Sequence, residues 1–344
     1  MLPGKFKSSI NRAAVFIQEL VPVSLFSYFT GPFVPVFMMH RFACPERDIN
    51  GVDLVLLREC LEYFRKSGYE AISLETLASA LINGDSVPDK TAVFTIDDGF
   101  FDQFELAGPL FAEYDIPLTY FLITDFIDKK LWPWDDQISY ILNSTNEGKY
   151  LLDLGRKEFE IVVGSAENRR PQYVKIRNIL KSTSNSNLYD ELPAIYRLFD
   201  VDIPAEIPDK YRPMEWEDAQ TLIKQGHNIA AHTCSHRILS RLQRPEAESE
   251  IMNSIRRVGE MIESPSPVFA YPTGRSGDFT HEDVDFMSGT GLLATVTTVP
   301  GSVLTRKNSK AYLHSLPRYS MPDDLIQFRQ CLSWLEVIKE RIKA

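Results

Sequence analysis

Seven short apolar runs, separated by amphipathic stretches, limit the fold of this chain more than any other feature. The runs cover residues 33–39, 92–96, 118–123, 228–232, 268–271, 292–298 and 313–318. Most are short and apolar on both faces, which reads as a strand buried on both sides. Between them, residues 54–67, 104–114, 216–225, 245–262 and 324–343 place apolar side chains at helical spacing. Pro245 suits the first turn of its helix, with Glu246 and Glu248 near the positive helix end. Strands alternating with helices predict an α/β fold with a parallel sheet and crossover helices, and the strand count is compatible with closure into a barrel.

Residues 133–215 interrupt this rhythm with a polar stretch (143–149), a hairpin candidate (150–163) and a Ser/Asn-rich segment (182–187). Pro204, Pro208 and Pro213 punctuate the exit. The expected organisation is therefore an N-terminal apolar or amphipathic segment (1–32), a main body (33–132 and 216–320), a mixed insertion capping its mouth (133–215) and a C-terminal helix (321–344). Residues 13–38 are apolar-rich, but Pro22, Pro32 and Pro35 break any helix long enough to span a bilayer. They read as a helix packed across one end of the body or as a segment lying on a membrane surface. Lys5 and Lys7 precede a polar stretch rather than an apolar core, unlike a signal peptide. A cytoplasmic location is expected, with peripheral contact at the inner membrane face through residues 13–38.

A net charge of −10 without a basic stripe argues against nucleic acid as a partner. The four cysteines, Cys44, Cys60, Cys234 and Cys331, are scattered and suggest no disulfide framework.

Two polar clusters end two of the apolar runs. Thr95-Ile96-Asp97-Asp98-Gly99 follows Ala92-Val93-Phe94, and His232-Thr233-Cys234-Ser235-His236 follows Ile229-Ala230-Ala231. Folds of alternating strands and helices place chemistry where strands open into loops. One carboxylate and two histidines spaced i, i+4 make a three-ligand set for a divalent metal, leaving a position for water. The adjacent carboxylate is then placed to deprotonate that water. Alone, Asp-Asp-Gly reads as a turn and two such histidines as coincidence. Together, in a chain with six histidines, they point to a metal centre. Cys234 lies inside the second cluster but faces away from the side shared by His232 and His236, so it reads as packing.

At these residues the chain resembles the polysaccharide deacetylases, the NodB-homology carbohydrate esterases. Thr95-Ile96-Asp97-Asp98-Gly99 is similar to their first motif and His232-Thr233-Cys234-Ser235-His236 to their second. The resemblance implies a distorted (β/α) barrel, often seven-stranded, with Asp97 as general base and the metal on Asp98, His232 and His236. Zn²⁺ suits that donor set, with Co²⁺, Ni²⁺ or Fe²⁺ as alternatives. Phe269-Ala270-Tyr271-Pro272-Thr273-Gly274 looks like the third motif, in which the Tyr271 N–H would face the oxyanion. The arginine that braces the catalytic Asp in the commoner family pattern is missing there. Arg318 is the preferred substitute and Arg275 the other, with a surface ion pair as the competing reading of Arg318. For the general acid, His40 in Met39-His40-Arg41 resembles the opening of a circularly rearranged branch of the family. His40 is preferred and His314 is the alternative.

Arg275 lies beside the third motif and is a candidate substrate contact. Trp132 and Trp134 would either stack on a sugar face or anchor the insertion. The resulting expectation is a metal-dependent N-deacetylase acting on an acetylated amino sugar of a cell-surface polysaccharide or a lipid-linked precursor. A deformylase, O-deacetylase or non-sugar amidase with the same site, or a silent glycan-binding scaffold, are the alternatives.

Overall fold

The computed structural model describes residues 31–153, 158–182, 186–305 and 309–343. Its strands are β1 (Phe33–Met39), β2 (Glu70–Ala71), β3 (Thr91–Asp98), β4 (Leu118–Leu122), β5 (Gly148–Asp153), β6 (Glu158–Val163), β7 (Asn228–Ala231), β8 (Val268–Ala270), β9 (Ala294–Val296), β10 (Ser302–Leu304) and β11 (Tyr319–Ser320). The helices of the main body are α1 (Leu54–Lys66), α2 (Leu74–Asn83), α3 (Gly108–Glu113) and α4 (Thr124–Ile127). Residues 133–215 add α5 (Trp134–Ser144), α6 (Ala166–Lys181) and α7 (Leu188–Leu198). The chain continues through α8 (Trp216–Lys224), α9 (Arg244–Met261), α10 (His281–Ser288), α11 (Leu325–Cys331) and α12 (Trp334–Lys343).

The sheet is mostly parallel and curled, in the order β1-β3-β4-β7-β8-β9, with β10 antiparallel on the other edge of β1. The end of the chain draws its edges together. Leu316 bridges to Val296 on β9, and three residues later Tyr319 pairs with Phe37 on β1. This short segment is the seventh member of a ring, and the fold is the α/β barrel that the alternation and the family resemblance lead one to expect.

Side chains alternate across each strand. Phe37, Phe94, Tyr120, Ile229 and Phe269 face the helices. Val36, Val93, Phe121, Ala230, Val268 and Val296 fill the lumen. Leu74, Leu77, Ala78 and Leu81 of α2 join that lumen cluster. Glu75 on the same helix accepts from Ser266, just before β8, which places α2 across the end where the strands begin. The opposite end, where the strands finish, is left for the site.

The outer helices follow ordinary rules. In α1, Asp53 caps the first turn by accepting from the Leu56 N–H at 2.8 Å. Leu57, Cys60, Leu61 and Phe64 then form its buried stripe. Residues 133–215 build a separate apolar cluster in which Trp134, Ile138, Leu180, Leu192 and Tyr196 meet.

Three elements differ from the sequence reading. The helix expected over 104–114 opens as a wide turn at Gln103–Ala107, because Pro109 has no N–H for the Glu105 carbonyl. The strand expected over 313–318 is irregular up to Ser315, Pro317 cannot donate to a ladder, and regular pairing is confined to β11. The helix expected over 324–343 divides in two, since the Ser333 N–H and hydroxyl both bond the Gln330 carbonyl. Of the apolar stretch 13–38, residues 13–30 lie outside the described residues, and Phe33 onwards is β1. Among the described residues no helix is long and apolar enough to cross a membrane.

Asp128, just after α4, ties three helices together. It accepts from Arg257 Nε (2.9 Å) and Nη2 (2.7 Å) on α9 and from Trp216 Nε1 (2.8 Å) on α8. Burial works against its charge, but bonds from Arg257, Lys130 and Trp216 hold the carboxyl down at about 2. A depressed folded-state pKa stabilises above the ordinary carboxylate value and loses that contribution as pH falls through the folded value. Asp128→Asn should therefore be less stable than wild type at pH 6–7. In urea unfolding the difference should shrink as pH falls from about 4 towards 2.

Candidate active site

Asp97 and Asp98 are the last two residues of β3, and both are buried. Alternation along the strand sends Asp97 into the lumen with Val93 and Thr95. Asp98 (φ +90°) and Gly99 (φ +94°) then both take left-handed backbone, turning the chain sharply off the strand. Glycine suits the second position, because its φ of +94° strains any L side chain and a Cβ there would press on Ile127 Cδ1 at 2.7 Å.

Asp97 is gripped by Arg318, which donates from Nη1 to Oδ1 at 2.7 Å and from Nη2 to Oδ2 at 2.6 Å. Arg318 lies in the segment that closes the ring and is wholly buried, so it is no surface ion pair. Its Nε donates to the Thr297 carbonyl (2.8 Å) and its Nη1 also reaches Thr95 Oγ1 (2.9 Å). Burial alone would push the Asp97 carboxyl up, but Arg318's charge and paired bonds hold it well below the usual carboxylate range. Gln103 fixes the neighbourhood from below, donating to the carbonyls of Asp97 (2.5 Å) and His40 (2.6 Å) and accepting from Gly99 N–H (3.1 Å).

Asp98 makes the opposite case. Burial first, then the charges of Asp97, Asp135 and Asp136, push its carboxyl well up. Oδ1 is buried with no hydrogen-bond donor, and the Nε2 atoms of His232 and His236 each lie 3.6 Å from it. One atom from each of these three residues lies within 4.8 Å of the others, the arrangement of a divalent-cation site. Burial lowers His232 to about 4 and His236 to about 3, so both are neutral near pH 7, the form that ligates metal. An orphaned carboxylate oxygen, two neutral imidazoles and a surplus of nearby acids together fit a bound cation.

The loop carrying the histidines is held from α9. Glu250 accepts from the N–H groups of Cys234 (3.0 Å) and Ser235 (2.9 Å), from Ser235 Oγ (2.6 Å) and from Arg237 Nη2 (2.8 Å). Thr233 and His236 take left-handed backbone at φ +64° and +55°, which turns the loop through the clamp. Cys234 packs behind the loop, its thiol pushed up to about 12 by burial.

His40 follows β1 at the rim, its side chain 44% exposed, with Nε2 3.8 Å from Asp97 Oδ2. His314 instead sits beside β9, where its Nδ1 meets Thr295 Oγ1 at 3.2 Å. Arg41 is held by Asp102 at 3.0 Å and lies 4.1 Å over the Phe100 ring. Arg275 is exposed on the loop after β8, where its backbone N–H bonds Asp278 Oδ2 at 3.1 Å.

Two expectations need correction. The Tyr271 N–H already donates to the Val296 carbonyl at 3.1 Å as part of the sheet, so it is not a spare oxyanion donor. Its ring is buried and stacked 4.3 Å from Phe279. Nor do the tryptophans offer faces to a sugar. Trp132 is buried against Tyr211 at 4.9 Å, and Trp134 is wholly buried, with Nε1 donating to the His236 carbonyl at 3.3 Å. They anchor residues 133–215 to the body.

Four contributors escaped the sequence reading. Gln103 sits one turn beyond the Asp-Asp-Gly cluster and carries no motif signal. Glu250 was visible as an acid on the buried stripe of α9, which also contains Ala247, Ile251, Ser254 and Val258. Asp135 and Asp136 lie in the stretch read as a mixed insertion, where nothing in the sequence set them apart; the structure places them in the first turn of α5, where acids are common.

Residues 84–288 match the family model described as polysaccharide deacetylase. No curated protein matches the chain. Among solved structures, the Streptococcus pyogenes deacetylase PplD in complex with acetate superposes with a TM-score of 0.57 at 17% identity, over 88% of this chain and 98% of that one. IcaB from Ammonifex degensii gives 0.55 at 15% identity, over 88% and 97%. The family match spans more than half of the sequence and contains both Asp97-Asp98 and His232–His236, so this chain belongs to the polysaccharide deacetylase family.

Proposed function

We propose that the chain is a metal-dependent N-deacetylase that removes the acetyl group from an N-acetylated sugar of a cell-surface polysaccharide or a glycolipid precursor. One observation carries the reading: Asp98, His232 and His236 converge beside an ionised Asp97 at the open end of the barrel. Those three residues would hold the ion, with Zn²⁺ best matched to one carboxylate and two imidazoles and Co²⁺, Ni²⁺ or Fe²⁺ as alternatives. When bound, a divalent ion supplies Lewis acidity toward the acyl oxygen and the attacking water.

The remaining steps belong to side chains. Asp97 accepts the proton of the attacking water at a carboxylate oxygen. Arg318 keeps it ionised for that task and fixes its plane through two bonds. The same guanidinium makes Asp97 a weak base, so the proton is not stored there for long. His40 Nε2, 3.8 Å away and reaching solvent, is placed to hand a proton to the leaving amine. Thr95 and Thr297 add two further bonds to the guanidinium, so Arg318 has little freedom to swing away.

Elemental analysis alongside acetate release from a panel of N-acetylated sugars tests the whole reading. Wild type should contain stoichiometric metal and release acetate, and the double variant His232→Ala/His236→Ala should do neither. Asp97→Asn should keep its metal while turnover falls by roughly 10²–10⁴-fold. Full turnover in that variant would remove Asp97 from the role of base.

His40→Ala and His314→Ala separate the two candidate acids. Turnover should drop by about 10²-fold or more in the first and stay near wild type in the second. The reverse pattern would transfer the role to His314.

Arg318→Met should cost about 3–5 kcal/mol in urea unfolding, because it strands a buried carboxylate. A loss below about 1 kcal/mol, the range of exposed pairs, would contradict the buried pairing.

A further inference from the structure

The two candidate ligand histidines are held from behind by different groups. Both turn Nε2 towards Asp98 Oδ1 at 3.6 Å, which leaves Nδ1 pointing away from the centre. For His232, the Ala270 carbonyl meets Nδ1 at 2.7 Å. The Nδ1 of His236 is buried and makes no hydrogen bond, and Asp135 Oδ1 faces it at 4.0 Å.

Asp135 comes from the first turn of α5, within residues 133–215 rather than the barrel strands. Its placement is determined from several sides. Arg177 on α6 donates Nη2 to Asp135 Oδ2 at 3.3 Å, leaving Oδ1 towards the histidine. On one side of Asp135, Trp134 Nε1 bonds the His236 carbonyl at 3.3 Å, and further along Tyr189 on α7 donates to the Ser235 carbonyl at 2.7 Å. The carboxylate is only 14% exposed. Its terminal torsion is soft, so Oδ1 can move relative to the Nδ1 that it faces at 4.0 Å.

We infer that Asp135 is a positioning residue of the metal centre, accepting the Nδ1–H of His236 so that Nε2 is the ligating nitrogen. A ligand imidazole whose other nitrogen donates to a carboxylate is fixed in tautomer and orientation and is a more basic donor. His236 thereby becomes the stronger donor of the pair, since His232 has only a neutral carbonyl behind it. Residues 133–215 complete the metal centre as well as covering it. This inference rests on the metal reading proposed above.

The test uses the full chain with Zn²⁺ titrated against a chromophoric chelator, and Co²⁺ added separately for its visible d–d spectrum. Asp135→Ala should weaken Zn²⁺ binding by about 10–100-fold and shift the Co²⁺ bands. Asp135→Asn should lose less, because its amide oxygen still accepts from Nδ1. Thermal unfolding of the metal-free proteins reports whether each variant folds. Wild-type affinity and an unshifted spectrum in folded Asp135→Ala would overturn the inference. Should Asp135→Ala not fold, Asp135→Asn decides on the same two readouts: weaker binding with a shifted spectrum supports the role, and wild-type values overturn it. A wild-type chain that binds neither ion would remove the metal reading itself, a distinguishable result.

Discussion

A single buried ion pair organises the open end of this barrel. Arg318 and Asp97 meet with almost no exposure, through two bonds of 2.7 and 2.6 Å. Neither charge would be tolerated there alone. Once paired, they impose demands on their surroundings. Thr95 and the Thr297 carbonyl take two more of the guanidinium's five protons, and Phe121 lies beneath it at 5.7 Å. Around this pair the lumen is largely apolar, filled by Val36, Val93, Ala230, Val268 and Val296. Asp98, one residue further on, has no such partner, and the contrast separates a charge satisfied by protein from one suited to a cation.

Much of this was legible in the sequence because local patterns carried it. Alternating apolar runs specified buried strands, and the polar clusters at 95–99 and 232–236 stood where two of them end. What escaped was determined by groups distant in sequence. The Tyr271 N–H looked available until its register against Val296 was known, since a strand residue's donor is free or spent according to its neighbour. Trp132 and Trp134 could be read as sugar platforms or as anchors, because residue type says nothing about which face is covered. Glu250 and Asp135 act through loops that approach them only in the folded chain. Pro109, Pro317 and Ser333, by contrast, were local signals whose effect on element boundaries could have been read.

Residues 133–215 hold an apolar cluster of their own, yet their polar edge is turned inward. Trp134, Asp135, Tyr189 and the Ser186 carbonyl all address the loop of residues 235–237, from one side, while Glu250 grips it from the other. A loop held on two sides has little conformational entropy left to lose when it binds an ion, which is the basis of preorganisation. Residues 133–215 and α9 therefore share responsibility for one short turn.

The ring is closed by the last strand segment, and that segment carries Arg318. Asp97 and its partner are 221 residues apart in the chain. During synthesis the strand bearing Asp97 precedes Arg318 by those 221 residues, so the pair cannot form until residue 318 has been made. Contacts of such long range form late in folding, after loop closure has been achieved elsewhere. Asp97 thus gains its partner and its orientation only once residue 318 is in place, so a molecule clipped before that residue would hold the Asp97 carboxyl with no guanidinium to pair it.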